Sequence, residues 1–186
     1  SGISMSAARV ERLITEVPPL PVSLSSMLKA ALPFGPSDEE EAAEVAGTAA
    51  VEEVAGCQGR KVALVAHSAA GWISRLYLSD RSHYGKAFCG SKLVESLVTL
   101  GTPHHVEAGP TVGHVARANA DGGELPDGVD CLTVASTGTK GDASAFARMS
   151  YHICEGFKDV TGFDGDGVTT VDSALGVPGA DRIVLN

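Results

Sequence analysis

Ser68 is the residue best placed in this sequence to act as a nucleophile. Lys61 to Ala66 (KVALVA) is a short, nearly continuous apolar run, the pattern of a strand buried on both faces in a parallel sheet. It leads straight into His67-Ser68-Ala69-Ala70-Gly71-Trp72, and a helical pattern begins at once. Ser68 is therefore expected on a sharp strand-to-helix turn, where a strained backbone exposes a nucleophilic hydroxyl. Such a turn needs small residues two positions to either side, and here they are Ala66 and Ala70, where the G-x-S-x-G pattern has glycine. The Ala69 amide, at the N-terminus of the following helix, would then be available to an oxyanion. An ordinary serine capping a helix after a strand has the same local signature.

Two further motifs follow in order. Leu97-Val98-Thr99-Leu100-Gly101-Thr102-Pro103-His104 ends a second apolar run in a turn, and Gly165-Asp166-Gly167-Val168 places a carboxylate in a glycine-flanked loop. Such a carboxylate can hold an imidazole in one tautomer and stabilise its cationic form while the imidazole takes the serine proton. A plain Asx turn in an Asp-Gly loop is the competing reading. A calcium loop fits less well: Asp164 and Asp166 begin a D-x-D alternation, but position 168 is Val and no Glu closes the twelve-residue frame. Asp164 and Asp172 are lesser candidates for the acid.

The set HSAAGW, LVTLGTPH and GDGVT, with a trailing Ser173-Ala174-Leu175 and Gly179-Ala180, resembles α/β-hydrolases of the lipase type. It is most similar to the lipase-like proteins of plants, algae and cyanobacteria, which are related to the inositol deacylases of glycolipid anchors. The resemblance covers about Asp38 to Asn186. It implies Ser68 as nucleophile, Asp166 as the acid of a D-G-x-V pattern, an acyl-ester or lipid substrate, no cofactor, and an intracellular, plastid setting. In this fold the histidine follows the acid, just after the last core strand. None follows Asp166, so the general base is expected beyond Asn186. The strand and loop supplying a second oxyanion amide should precede the Asp38 helix, where a Pro-rich stretch stands instead.

Of the histidines present, His67 is expected to pack under the turn, and His104 and His105, at the same sheet edge as Ser68, are expected to line the site mouth. His83, His114 and His152 are expected to be surface or satisfied helix residues. His104, His105 and His114 lack the spacing and companion ligands of a zinc site. The absent base and shortened sheet also fit a second class of function: a non-catalytic hydrolase-like subunit whose incomplete sheet is covered by a protein partner.

The elements that must position these residues follow from periodicity. Ser37-Asp38-Glu39-Glu40 offers a capped start to a helix from about Asp38 to Ala55. Strands are expected at Lys61 to Ala66, Val94 to Leu100, Val129 to Ala135 and Arg182 to Leu185. Helices are expected over Ala69 to Leu78, with Trp72, Ile73, Leu76 and Tyr77 on one face, and between Asp142 and Lys158. In the second, Phe146, Met149, Ile153 and Phe157 share a face behind an Asp cap. Strands alternating with helices predict an α/β fold, a mostly parallel sheet flanked by helices with a partial core. Residues 1–36, with five of the nine prolines, form a lead-in segment, and residues 37–186 form the core.

Length and charge bound the rest. The 186 residues suit one domain, and 44% hydrophobic with 20% charged residues is an ordinary globular balance. A net charge of −9 with scattered cations argues against a nucleic-acid partner. No apolar run approaches the roughly 18 residues of a transmembrane helix, and no signal peptide is expected in the first 30 residues. Cys57, Cys89, Cys131 and Cys154 show no C-x-x-C spacing, which disfavours a zinc site and leaves two disulfides as an option.

Overall fold

The computed structural model describes residues 50–56, 59–83 and 85–186. Residues 50–56 are helical (α1), the end of the helix expected from Asp38; the remainder of that helix and the segment 1–36 lie outside the described residues. The chain then runs through β1 (Val62–His67), α2 (Ala70–Leu78), β2 (Val94–Leu100), α3 (Val112–Ala118) and β3 (Asp130–Ser136). A two-residue β4 (Thr139–Lys140), α4 (Ala145–Glu155), a two-residue β5 (Asp164–Gly165), α5 (Val171–Ala174) and β6 (Asp181–Leu185) complete it. The expected strands are all present, displaced by no more than one residue at either end.

The main sheet has the order β1-β2-β3-β6, and every neighbouring pair is parallel. β4 and β5 form a separate antiparallel pair. A parallel sheet must be covered on both faces, and its central strands are accordingly apolar along their length: Val94, Leu97 and Val98 of β2 are buried, with Thr99 and Thr133 buried beside them. One apolar cluster joins Ala55, Val62, Ala66, Leu78, Val94 and Leu97, tying α1 and α2 to β1 and β2. A second joins Trp72 and Leu76 of α2 to Val106 and to Val115 of α3. The face expected for α2 is thus the buried one.

Where each strand leaves the sheet, its exit turn is fastened to the end of the next strand. The Ser68 N–H donates to Leu100 O at 3.0 Å, the Gly101 N–H to Val134 O at 2.9 Å, and the Thr137 N–H to Leu185 O at 2.8 Å. The turns that leave the strands therefore share one edge of the sheet, with β3 running two residues past Val134.

Two expectations need correction. α4 is not capped by Asp142: the Ser144 Oγ accepts from the Ala147 N–H at 3.0 Å. Nor does its aromatic and aliphatic stripe face inward. Phe146, Met149 and Ile153 are exposed, Phe146 by 68%, while Ala147, Ser150, Tyr151, Cys154 and Glu155 are buried; Phe157, expected on the same face, lies beyond the helix, which Gly156 ends with φ 71°, and is 88% exposed. The reason is what lies beneath the helix, a polar loop (166–170) rather than the apolar face of the sheet. Among the described residues Cys89, Cys131 and Cys154 are free thiols; Cys57 lies outside them. No helix among the described residues is long and apolar enough to cross a membrane.

Candidate functional site

β1 ends at His67, and the next residue, Ser68, has a left-handed backbone with φ 55°. A non-glycine residue in this conformation is strained by about 1–3 kcal/mol and persists only where its surroundings enforce it. Here the Ser68 N–H is bound to Leu100 and its carbonyl accepts from the Gly71 N–H at 3.1 Å, so both sides of the turn are fixed. Ala69 follows in helical geometry as the N-cap of α2, with no side chain capping it. α2 also lies very close to the turn after β2. A Cβ on Gly71 would stand 2.6 Å from Thr102 Cγ2, closer than real side chains approach, so the contact requires glycine.

Asp166 is exposed and lies over the same edge. Its Oδ1 accepts from the Val168 and Thr169 N–H groups at 2.8 and 2.7 Å, the Asx turn expected of an Asp-Gly loop. Its Oδ2 points at Gly101, where a Cβ would come within 2.7 Å of that oxygen. Gly101 has φ 52°, and its carbonyl accepts from Thr169 Oγ1 at 3.1 Å. Gly101 is one residue past Leu100, the acceptor of the Ser68 amide, so Ser68 and Asp166 both lie against the end of β2. Asp164 is turned away. It pairs with Lys140 at 2.8 Å and accepts from the Gly138 and Gly165 amides, and the Lys140 contact holds its carboxyl below the usual range. Asp172 lies in the first turn of α5.

His67, His83 and His104 differ from expectation, His83 because it is buried outside any helix with Nε2 unpartnered. His67 is exposed, not packed under the turn, because alternation along β1 turns it outward after buried Ala66. His104 does not line a site mouth: it is fully buried. Its Nδ1 lies 3.3 Å from Arg75 Nη1 and its Nε2 lies 3.0 Å from Thr99 Oγ1. A guanidinium only donates, so Nδ1 accepts and the proton sits on Nε2. Burial, reinforced by the Arg75 charge, pushes His104 down to about 3, so it is neutral. Burial likewise lowers Arg75 to about 10; it still carries its charge, with Nη2 donating to the Ala118 and Gly123 carbonyls. This polar core group joins β2, α2 and the loop after α3, and it escapes a sequence reading because Arg75 and His104 are 29 residues apart. His105 is half exposed and pairs with Glu107 at 2.9 Å. His114 stacks on Trp72, His152 Nδ1 lies 3.2 Å from Gly156 O, and His83 is buried.

A cavity of about 340 Å³ lies at the other end of α2 from Ser68, between Ser79, Arg81, Arg117 and Glu124. Arg75, in the middle of α2, also lines it, about two helical turns from the Ser68 turn, roughly 10 Å. No cluster of three or more His, Cys, Asp or Glu side chains suited to a metal ion is present among the described residues.

No family model matches the chain. No curated protein matches it either. Among solved structures it is similar to the lipase BlEst2 of Bacillus licheniformis in its mature form, at 22% identity and a TM-score of 0.52. The likeness covers 73% of this chain and 61% of that lipase, so this chain spans less than two thirds of its length. At that identity the likeness is one of fold. The mostly parallel sheet and its flanking helices make up part of an α/β-hydrolase fold.

Proposed function

We propose that this chain is the core of a serine ester hydrolase of the lipase type, acting on acyl esters of lipids. The observation that carries this reading is the left-handed backbone of Ser68, φ 55°, at the point where a buried parallel strand turns into a helix. A capping serine needs no such strain, because N-cap residues ordinarily adopt extended backbone. The position of Asp166 supports the same reading: with Oδ1 held by two amides, Oδ2 is the oxygen available to an imidazole.

In this proposal Ser68 Oγ attacks the acyl carbonyl carbon and gives its proton to a histidine oriented by Asp166. The Ala69 N–H stabilises the oxyanion, and the ester C–O bond breaks as the imidazolium returns the proton to the departing alkoxide. Water then attacks the acyl-serine by the same route, releasing the carboxylic acid and restoring Ser68. Among the described residues no histidine is hydrogen-bonded to Asp166, and His104 is excluded as base by its burial and its two partners. His105 is engaged by Glu107, and the base in this reading is the histidine that the lipase-type resemblance implies after the last core strand.

A fluorophosphonate probe, which forms a phosphorus–oxygen bond with an activated serine and loses fluoride, tests this directly. Labelling of the folded protein that disappears in Ser68→Ala is the expected result. Absence of labelling in folded protein overturns it and favours a hydrolase fold used as a non-catalytic subunit.

A further inference from the structure

The inner face of α4 is unusual in what it holds. Tyr151 is fully buried, yet its hydroxyl is not in the apolar core: it donates to Thr139 O at 2.8 Å and accepts from the Gly167 N–H at 3.1 Å. The same oxygen stands 2.6 Å from where a Cβ on Gly165 would be. Gly165 and Gly167 are the two neighbours of Asp166, so one phenol oxygen grips the loop on both sides of the carboxylate. One turn further along the helix, Glu155 accepts from Thr170 Oγ1 at 2.6 Å, with both residues buried. Cys154 packs between them, its Sγ 4.0 Å from Val168 O.

A polar hydroxyl buried this deeply needs both partners, since leaving the Gly167 N–H or the Thr139 carbonyl unpaired would cost about 1–3 kcal/mol each. The bonds therefore fix the height of the loop over the sheet edge, and Asp166 Oδ2 reaches Gly101 only at that height. Burial raises the phenol above its ordinary range, so it keeps the proton that it donates throughout the neutral range.

We propose that Tyr151 is a positioning residue for Asp166: through its hydroxyl, α4 sets the loop that presents the carboxylate to the Ser68 turn. This rests on the hydrolase reading given above, but it makes a claim of its own about where the acid loop takes its geometry. The β4 residue Thr139 is the fixed point, Tyr151 Oη the bridge and Gly167 the point of attachment.

Tyr151→Phe keeps the ring in its pocket and removes only the bridging oxygen, so the fold is expected to persist. Two measurements on this variant and the natural protein decide the proposal. Amide hydrogen exchange at Gly167, Val168 and Thr169 should accelerate at least tenfold, with the β2 and β3 amides unchanged. Fluorophosphonate labelling of Ser68 should slow about tenfold, and in an Asp166→Asn background Tyr151→Phe should slow it no further, because the hydroxyl acts only through that carboxylate. A general loss of packing would slow both backgrounds alike. Unchanged loop exchange, unchanged labelling, or an undiminished effect in the Asp166→Asn background each overturns the proposal. A natural protein that is not labelled at all overturns the hydrolase reading and this assignment with it, whereas labelling that is normal in both proteins overturns the assignment alone.

Discussion

At Gly71 the helix after Ser68 and the turn after β2 approach until only a hydrogen fits between them. Gly71→Ala is expected to cost about 1–3 kcal/mol, the usual range for an added buried methyl in a tight contact. It should also slow labelling at Ser68, because the helix can make room only by moving the turn from which it springs. Thermal unfolding of Gly71→Ala, alone and combined with Thr102→Ala, checks this: removing Thr102 Cγ2 and Oγ1 should restore part of the lost stability. Thr102 Oγ1 is itself buried without a hydrogen-bond partner, so its removal alone should be mild. Gly101 is the companion case. A left-handed φ and a carboxylate against its Cα both require glycine, and Gly101→Ala should lower labelling more than stability.

Among the elements, α4 shows best what a sequence can and cannot reveal. The recurrence of Phe146, Met149 and Ile153 correctly indicates a helix and places these residues on one side of it, but Phe157 lies past its end, because Gly156 with φ 71° closes the helix after Glu155. Periodicity says which residues share a face but not which way that face turns. The direction is set by Tyr151 and Glu155, whose partners Gly167 and Thr170 lie some 15 residues further on. The strand-to-helix turn at Ser68 and the Asx turn at Asp166 were legible for the opposite reason: a small-residue turn after a buried run and an Asp between two glycines are local patterns. His104 was visible as part of Gly-Thr-Pro-His, but its burial depends on Arg75, which no local pattern connects to it. The orientation of α4 carries its own prediction. Phe146→Ser and Phe157→Ser should change unfolding free energy by no more than about 0.5 kcal/mol, whereas Ala147→Leu, on the buried face, should cost about 1–3 kcal/mol in urea denaturation.

For the whole molecule, the neutral His104 makes stability depend on pH. Its folded value of about 3 lies below the 6.5 of an unfolded chain, so the unfolded state binds the proton first as pH falls. The stabilisation is therefore complete above pH 6.5 and is lost progressively between there and about 3. His83, lowered by burial and by Arg81 and Arg117, adds to the loss in the same direction. Asp159 and Asp164, whose carboxyls are held below 3.8, act only in the more acidic part of that range. Urea midpoints should be flat from pH 7 to 8 and fall steadily from pH 6.5 to 4.5. His104→Gln, which cannot titrate, should flatten most of that slope.

The bonds from Ser68 to Leu100, Gly101 to Val134 and Thr137 to Leu185 bear on how such a chain can change over evolutionary time. Each turn takes its length from the strand beside it, so a residue deleted at one strand exit is transmitted sideways, from β6 across β3 and β2 as far as Ser68. At the opposite rim the Val62 N–H donates to Leu93 O at 2.8 Å, and ahead of β3 the Gly123 carbonyl is held by Arg75 while Leu125 packs on the core, which leaves exposed Asp127 and Gly128 as the place where length can change. Insertions and deletions among descendants of this sequence should accordingly gather at Asp127 and Gly128 and spare the strand exits, which stay constant in length even where their residues diverge.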